Sequence, residues 1–538
     1  MSELKRFTGI GVGDSSTWGI AYVLAPRPKA PVEAKSKLGA DTESKRLQEA
    51  ISFVVEQMSE TASKADETTA DILHALLAML EDPALVEEAS VHIQQGWDAE
   101  TSIQRAMNGF TELLAGDDLF GERVADLQDL SLRVVAKLTN LQWSMTLPKV
   151  GPVVVVAEDL SPAETAQFTD VVVGVITEGG GPTSHTAIIC RQRNIPAIVA
   201  VSGAMSIPTG EGVLVEAFKG EATLSEKPGN FDNQKTQRPR IGEPVAEVKG
   251  NVGSVQDAIA LAETEATGVG LMRTELLFLS RSSAPSLEEQ TELYSGVLKE
   301  APEGEVIFRT LDAGSDKPLP YLGIGKEENP SLGVRGYRIN SIDEDILNTQ
   351  LKALALAQEK TGRPVSVMAP MIATVEEATA FAKQARSFGI QTVGVMVETP
   401  SICVVLDQLQ GIVDFVSIGT NDLSQYLFAA DRQNSGVATL LNPWQPALLK
   451  TISRICVDAQ AVGIKVGVCG EAAADPLLSV VLAGLGVKSV SMAAPAVAKA
   501  KDYLCSVTKD QAKAVAEAAL TGKTPFEAKE LALAALPN

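Results

Sequence analysis

The sequence predicts an α/β protein with a C-terminal (β/α)8 barrel and an N-terminal β/α domain that carries an inserted helical subdomain. Three observations carry that expectation. Short apolar runs recur along residues 245–538 with helical patterns between them: "VAEVKGNV", "GVGLM", "EVIFRT", "PVSVMAP", "TVGVMVE", "DFVSIG" and "KVGVCG". Their spacing fits successive βα units, and the region suits one barrel of about 250 residues. Upstream, "LPKVGPVVVVAEDLSP" is a β-branched run bounded by Gly-Pro, the pattern of a buried strand. Before that run, apolar residues recur at helical spacing over much of residues 45–143.

Taken in order, residues 7–25 read as a glycine-containing strand region, followed by a polar, Pro- and Lys-rich stretch at 26–45. Leu47, Ile51, Val54, Val55 and Met58 then share one helix face. Ile72, Leu73, Leu76, Leu77 and Leu80 share another, ending at "EDP", where Pro83 is expected to stop the helix. Two or more helices are expected from about 84 to 143. Residues 150–225 alternate strands ("VVVGVIT", "AIVAV", "GVLVEA") with short helices. The helical stretch, about 33–143, thus interrupts a β/α domain spanning 1–225. The segment 226–244, "EKPGNFDNQKTQRPRIGEP", is polar with several Pro and Gly and reads as a linker. The seven apolar runs are read as parallel strands, and an eighth is expected between 327 and 345. A doubly wound sheet is the competing layout. Arg273, Arg309, Glu398, Asn421, Asp422 and Cys469 all come at or just after the C-terminal end of a run. In a barrel those ends share one mouth, where reactive groups collect, which favours the barrel.

Composition narrows the function classes. The 538-residue chain has a net charge of −22, which argues against nucleic acid and against an anionic membrane surface as partners. No stretch reaches the ~20 apolar residues of a membrane span, and the N-terminus lacks a signal-peptide core. Five scattered cysteines form no C-x-x-C, so a reducing, cytoplasmic setting is expected rather than a disulfide framework.

At the expected mouth, Glu398 in "VMVETP" and Asp422 in "SIGTNDLSQY" supply two carboxylates, suited to Mg²⁺ with water and substrate completing its shell. Arg273, Arg309 and Arg432 supply the side chain that captures phosphate and carboxylate in bidentate fashion. Metal plus arginines point to a phosphorylated, acidic small molecule; structural ion pairs across strand ends are the plainer reading. Cys469, taken alone, reads as a small buried hydrophobe.

Only three histidines occur, and one, His185, follows the glycine-rich "GGGPTS". Thr183 or Ser184 can cap the helix "HTAIICRQR", leaving the imidazole in its first turn. There the positive helix end disfavours imidazolium and favours a phosphoryl group. A satisfied turn histidine is the plainer alternative. His74 and His92 lie in helical segments. No G-x-x-x-x-G-K-[ST] phosphate loop occurs.

Together these motifs resemble the phosphoenolpyruvate-utilising enzymes. "GGGPTSHTAIICRQRNIPAIV" is similar to that family's phosphohistidine motif and "DFVSIGTNDLSQYLFAADRQN" to its second signature. "LMRTELLFL", "FRTLDAGSDKPLPYL", "NPSLGVRGYR", "MVETPS" and "VCGE" match along the barrel, so the resemblance covers nearly the whole chain. By layout the chain looks like the Enzyme I branch, which serves bacterial sugar phosphotransferase systems. The resemblance implies a swivelling phosphohistidine domain with His185 as the phosphorylated nucleophile. It implies Arg273, Arg309, Asn421, Asp422 and Arg432 as phosphoenolpyruvate-binding residues, Glu398 and Asp422 as Mg²⁺ ligands, and Cys469 as the proton donor, a role beyond its bare reading. It further implies docking of the carrier protein HPr on the helical insertion, with 226–244 as hinge, and a homodimer formed through the barrel. Pro182 departs from the family pattern, which often has Arg there. A nitrogen-regulatory paralogue and a dikinase or phosphoenolpyruvate synthase relative are the alternatives. The first usually carries an extra sensor domain, and the second needs a nucleotide-binding domain for which little chain precedes the β/α unit.

Overall fold

A computed structural model describes residues 5–13, 15–24, 33–63, 73, 76–114, 124–141, 147–148, 150–181, 184–193, 195–225, 238–278, 281, 283–314, 319–325, 327–432 and 434–537. The chain divides into two compact units, Met1–Lys235 and Thr236–Asn538. Residues 226–237 of the expected linker, together with Ile72, His74, Pro182 and Thr183, lie outside the described residues.

In the first unit β3 (Ser16–Val23) and β4 (Val153–Ala157) are adjacent and parallel, with Val23 opposite Val156. The described residues between them in sequence lie outside the sheet. That intervening chain forms the helices Ala40–Ala62, Pro83–Gln94, Ala99–Leu114 and Val124–Leu138, besides a helical stretch at 76–80. Their apolar stripes close on a core of their own, with Leu47, Val54, Met58, Leu80, Ile103 and Leu127 buried. Pro83 does not merely end a helix, as expected, but opens the next one. Its missing N–H is no loss at the first helical position, and Asp82 caps that helix by accepting from the Ala84 N–H at 2.8 Å.

The sheet adds β1 (Arg6–Thr8), β2 (Ile10–Val12), β5 (Val172–Thr177), β6 (Ala197–Val199), β7 (Gly212–Glu216) and β8 (Glu221–Leu224), in the order β1-β8-β7-β3-β4-β5-β6-β2. The run "VVVVA" is wholly buried because its side chains alternate between two cores. Val153 and Val155 pack with Leu160 and Cys190, whereas Val154 and Val156 pack with Phe7 and Ile176. A parallel strand covered on both faces reads as a continuous β-branched run for this reason.

The second unit is a closed barrel. Its strands are β9 (Glu247–Val252), β10 (Val269–Arg273), β11 (Val306–Arg309), β12 (Ser366–Ala369), β13 (Thr392–Val397), β14 (Phe415–Ile418), β15 (Lys465–Val468) and β16 (Ser489–Met492). All neighbours pair in parallel, and β16 closes on β9 with Ser489 opposite Glu247 and Met492 opposite Gly250. Seven strands fall on the seven apolar runs. The eighth does not lie at 327–345, which instead holds the short 3-10 turns Pro330–Leu332 and Gly336–Ser341. Proline and two glycines in "NPSLGVRGYR" break any ladder there. The true closing strand, "SVSM", escaped notice because two serines dilute a run of only four residues. Among the described residues no helix is long and apolar enough to cross a membrane.

The barrel's lower rim is tight. A Cβ added at Gly304 stands 1.9 Å from the Thr267 backbone oxygen, so the chain itself must shift. Gly304→Ala is expected to destabilise the barrel by about 1–3 kcal/mol, read as a lower urea midpoint of its unfolding transition. Gly242→Ala, where an added Cβ meets nothing within 4 Å, serves as the unchanged control.

Candidate active site

Every barrel residue singled out by sequence lies at the C-terminal mouth. Arg273 and Arg309 are the last residues of β10 and β11. Glu398 follows β13 directly, and Cys469 follows β15. Asn421 and Asp422 sit in the first turn of the helix Thr420–Phe428, just after β14. Arg432 comes from the loop after that helix.

The structure adds three charged residues that the sequence reading assigned no role: Glu275, Asp312 and Arg335. They complete a chain of alternating charge. Arg309 Nη2 meets Glu275 Oε1 at 2.5 Å, and its Nη1 meets Asp312 Oδ2 at 3.1 Å. Arg335 is fully buried and grips two carboxylates at once. Its Nε and Nη2 reach Asp312 at 3.1 and 3.2 Å, and its Nη1 and Nη2 reach Asp422 at 2.9 and 3.3 Å. Arg432 Nη1 lies 3.9 Å from Asp422 Oδ2 at the more open end. Burial works against charge on Arg309, but Glu275 and Asp312 outweigh it and hold the guanidinium above its usual range. Arg335 lies in the family-like stretch "NPSLGVRGYR", but its role left no local signal: it stands among turn residues with no period, and only the fold brings its two partners to it.

Glu398 is fully buried. Its Oε1 accepts from the Met371 N–H at 2.6 Å, while Oε2 has no hydrogen-bond partner among the described residues. Burial, followed by the neighbouring Asp422 and Asp312 carboxylates, pushes its titration up to about 8. Close approach here needs glycine. A Cβ on Gly419 stands 2.6 Å from Glu398 Oε2, and one on Gly470 stands 1.9 Å from Thr420 Oγ1. An unpartnered buried carboxylate oxygen beside a second carboxylate fits a hard divalent cation, with Glu398 and Asp422 as the protein's share of its ligands. Arg273, by contrast, makes no hydrogen bond or ion pair with other described side chains and stands exposed at its strand end.

Cys469 is buried at the top of the barrel's apolar interior, among Leu271, Met368, Met396 and Phe415. Burial pushes its thiol up, while the Ser417 hydroxyl and then Arg309 pull it down. His185 belongs to the other unit. It opens the helix His185–Gln192, capped by Ser184, whose Oγ accepts from the Ala187 N–H at 3.3 Å.

Removing Arg335 leaves two buried aspartates unpaired. Arg335→Met is expected to cost about 3–5 kcal/mol of barrel stability, measured by chemical denaturation. Adding Asp312→Asn to that variant is expected to recover part of the loss.

Three family models match consecutive parts of the chain. The N-terminal domain of phosphoenolpyruvate-utilising enzymes matches residues 8–123, the mobile domain 150–220, and the phosphoenolpyruvate-binding domain 232–509. A phosphoenolpyruvate-protein phosphotransferase of Streptomyces coelicolor is 40% identical, covering 98% of this chain and 97% of that protein. One of Bacillus subtilis is 35% identical, covering 98% of each. One of Haloferax volcanii is 36% identical over 88% of each. The chain therefore belongs to the phosphoenolpyruvate-utilising enzyme family, in the branch of the phosphoenolpyruvate-protein phosphotransferases.

Proposed function

We propose that this protein moves the phosphoryl group of phosphoenolpyruvate to its own His185 and then to the carrier protein HPr, releasing pyruvate, as the entry step of sugar phosphotransferase uptake. The observation that carries this reading is the convergence of Arg273, Arg309, Glu398, Asp422, Arg432 and Cys469 on one barrel mouth. In this reading residues 1–225 form the phosphohistidine domain, with the insertion at about 33–143 docking HPr. Residues 226–244 join it to the phosphoenolpyruvate-binding barrel, 245–538, through which the chain forms a homodimer. The setting is the cytoplasm.

Arg273, which makes no hydrogen bond or ion pair with other described side chains, is placed to take the phosphate. Arg309, fixed by Glu275 and Asp312, presents its remaining donor capacity from a set direction. Arg432 lies 3.9 Å from Asp422, and Asn421 precedes Asp422 in the first turn of its helix. Mg²⁺, held by Glu398 and Asp422 when bound, neutralises phosphate charge and polarises the bridging oxygen. The His185 ring nitrogen forms the new bond to phosphorus as the bond to the bridging oxygen breaks, and enolpyruvate leaves. The Cys469 thiol gives its proton to the methylene carbon, which yields pyruvate; solvent later returns a proton to sulfur. The work on phosphorus is positioning and electrostatics.

Incubation with labelled phosphoenolpyruvate and Mg²⁺ is expected to put an acid-labile, base-stable phosphate on His185. A His185→Ala protein that still passes label to HPr overturns the nucleophile assignment. Cys469→Ser is expected to lose pyruvate methyl-proton exchange with solvent, because a hydroxyl is a far weaker acid than a thiol. It is expected to retain phosphate exchange between His185 and HPr. Proton exchange at the wild-type rate removes Cys469 from the mechanism.

A further inference from the structure

We infer that Asn251, on β9, is a positioning residue that aims Cys469 at the carbon end of the substrate. The inference rests on the reading of Cys469 as proton donor. The ladder between β15 and β16 consists of Gly467 opposite Ser489 and Val468 opposite Val490, and there it stops. Beyond it β16 continues on β9 alone, through Ser491 opposite Lys249 and Met492 opposite Gly250. Cys469 sits one residue past the ladder, at the seam where these three strands part.

A side chain fills the seam. Asn251 Nδ2 donates to the Cys469 carbonyl at 3.2 Å and to the Ser491 carbonyl at 3.4 Å. One amide group thus stands in for the missing rung, with both of its hydrogens in use. Its orientation is set by the Ser491 hydroxyl, 2.5 Å from Asn251 Oδ1 and 2.9 Å from the Gly250 carbonyl. On the opposite flank the Cys469 N–H donates to Ile418 O at 3.2 Å. Gly470 then packs so close to Thr420 that no side chain fits between them. Both peptides flanking the Cys469 α-carbon are therefore held, each by a different strand. Those two bonds set the backbone from which the thiol projects, and the thiol itself donates to the Ile418 carbonyl at 3.7 Å.

Delivery of a proton to carbon is sensitive to direction, and a misplacement of about 1 Å costs on the order of 100-fold. Capture of phosphate by Arg273 and Arg309 does not involve this peptide. Loss of the amide is thus expected to separate the two ends of the reaction.

The test uses the full-length protein with Mg²⁺. Asn251→Ala is expected to slow pyruvate methyl-proton exchange by about 10- to 100-fold, while KM for phosphoenolpyruvate stays within about 3-fold, since phosphate binding is untouched. Phosphate exchange between His185 and HPr is expected to stay at the wild-type rate. Ser491→Ala, which frees the amide to turn, is expected to show a smaller loss of the same kind and serves as the test if Asn251→Ala does not fold. Wild-type methyl-proton exchange in either folded variant overturns the inference. So does a rise in KM as large as the loss of exchange, since that marks general disruption of the mouth. Cys469→Ser is measured alongside: if it keeps its exchange, the proton-donor reading itself fails. If it loses exchange while Asn251→Ala keeps it, only the role of Asn251 fails.

Discussion

The grip of Arg335 on two buried aspartates is the constraint on which the barrel mouth depends. Asp312 follows β11 and Asp422 follows β14, so strand ends far apart around the barrel are tied through one guanidinium. Asp312 in turn holds Arg309, and Glu275 after β10 holds it from the other side. A buried ionic chain of this kind is a poor source of net stability, since desolvation offsets most of the attraction. The barrel's stability comes from its apolar interior. What the charges contribute is direction: each carboxylate and guanidinium has one orientation that satisfies its neighbours, and that orientation is present before substrate arrives.

The sequence made much of this legible, for identifiable reasons. Seven barrel strands stood out because a parallel strand buried on both faces is a continuous apolar run. The closing strand was missed because Ser489 and Ser491 interrupt it. Ser491 is there to bond rather than to pack, as its hydroxyl's bond to Asn251 Oδ1 shows. The strand-end residues were legible because polar groups directly after apolar runs are conspicuous. The roles of Arg335, Asp312 and Asn251 were not, although the first two lie in stretches that match the family, since a residue that acts by holding another has no pattern of its own. Its meaning is a distance across the fold.

Cys469 shows how one residue can carry a structural reading and a proposed catalytic one. Its surroundings are those of a core cysteine, with Leu271, Met368 and Phe415 beneath it. Yet it is the uppermost member of that core, next to the charged layer, and Ser417 and Arg309 counter the effect of burial on its thiol. In the proposed role of proton donor such a boundary is useful: apolar packing fixes the side chain, and the pull of Ser417 and Arg309 moderates a thiol that burial and Glu398 hold up. The histidine motif is a similar case. Its legible part is the cap, Ser184, which opens a helix end to an anion.

Charge balance at the mouth sets a condition on the substrate. Arg309 and Arg335 are matched by Glu275, Asp312 and Asp422, so neither brings free positive charge to an incoming anion. Among the described residues Arg273 is the mouth arginine without an ion pair, Arg309 keeps only donor capacity left over from its carboxylates, and Arg432 is already shared with Asp422. Glu398 adds a carboxyl that burial and its acidic neighbours keep toward the neutral form. A site so balanced holds a multiply charged anion weakly unless further positive charge enters with it. Oε2 of Glu398, without a hydrogen-bond partner among the described residues, is the proposed ligand for such charge. On this account the need for a divalent cation follows from the pairing that makes the mouth rigid: the arginines that give the site its shape have spent their charge doing so.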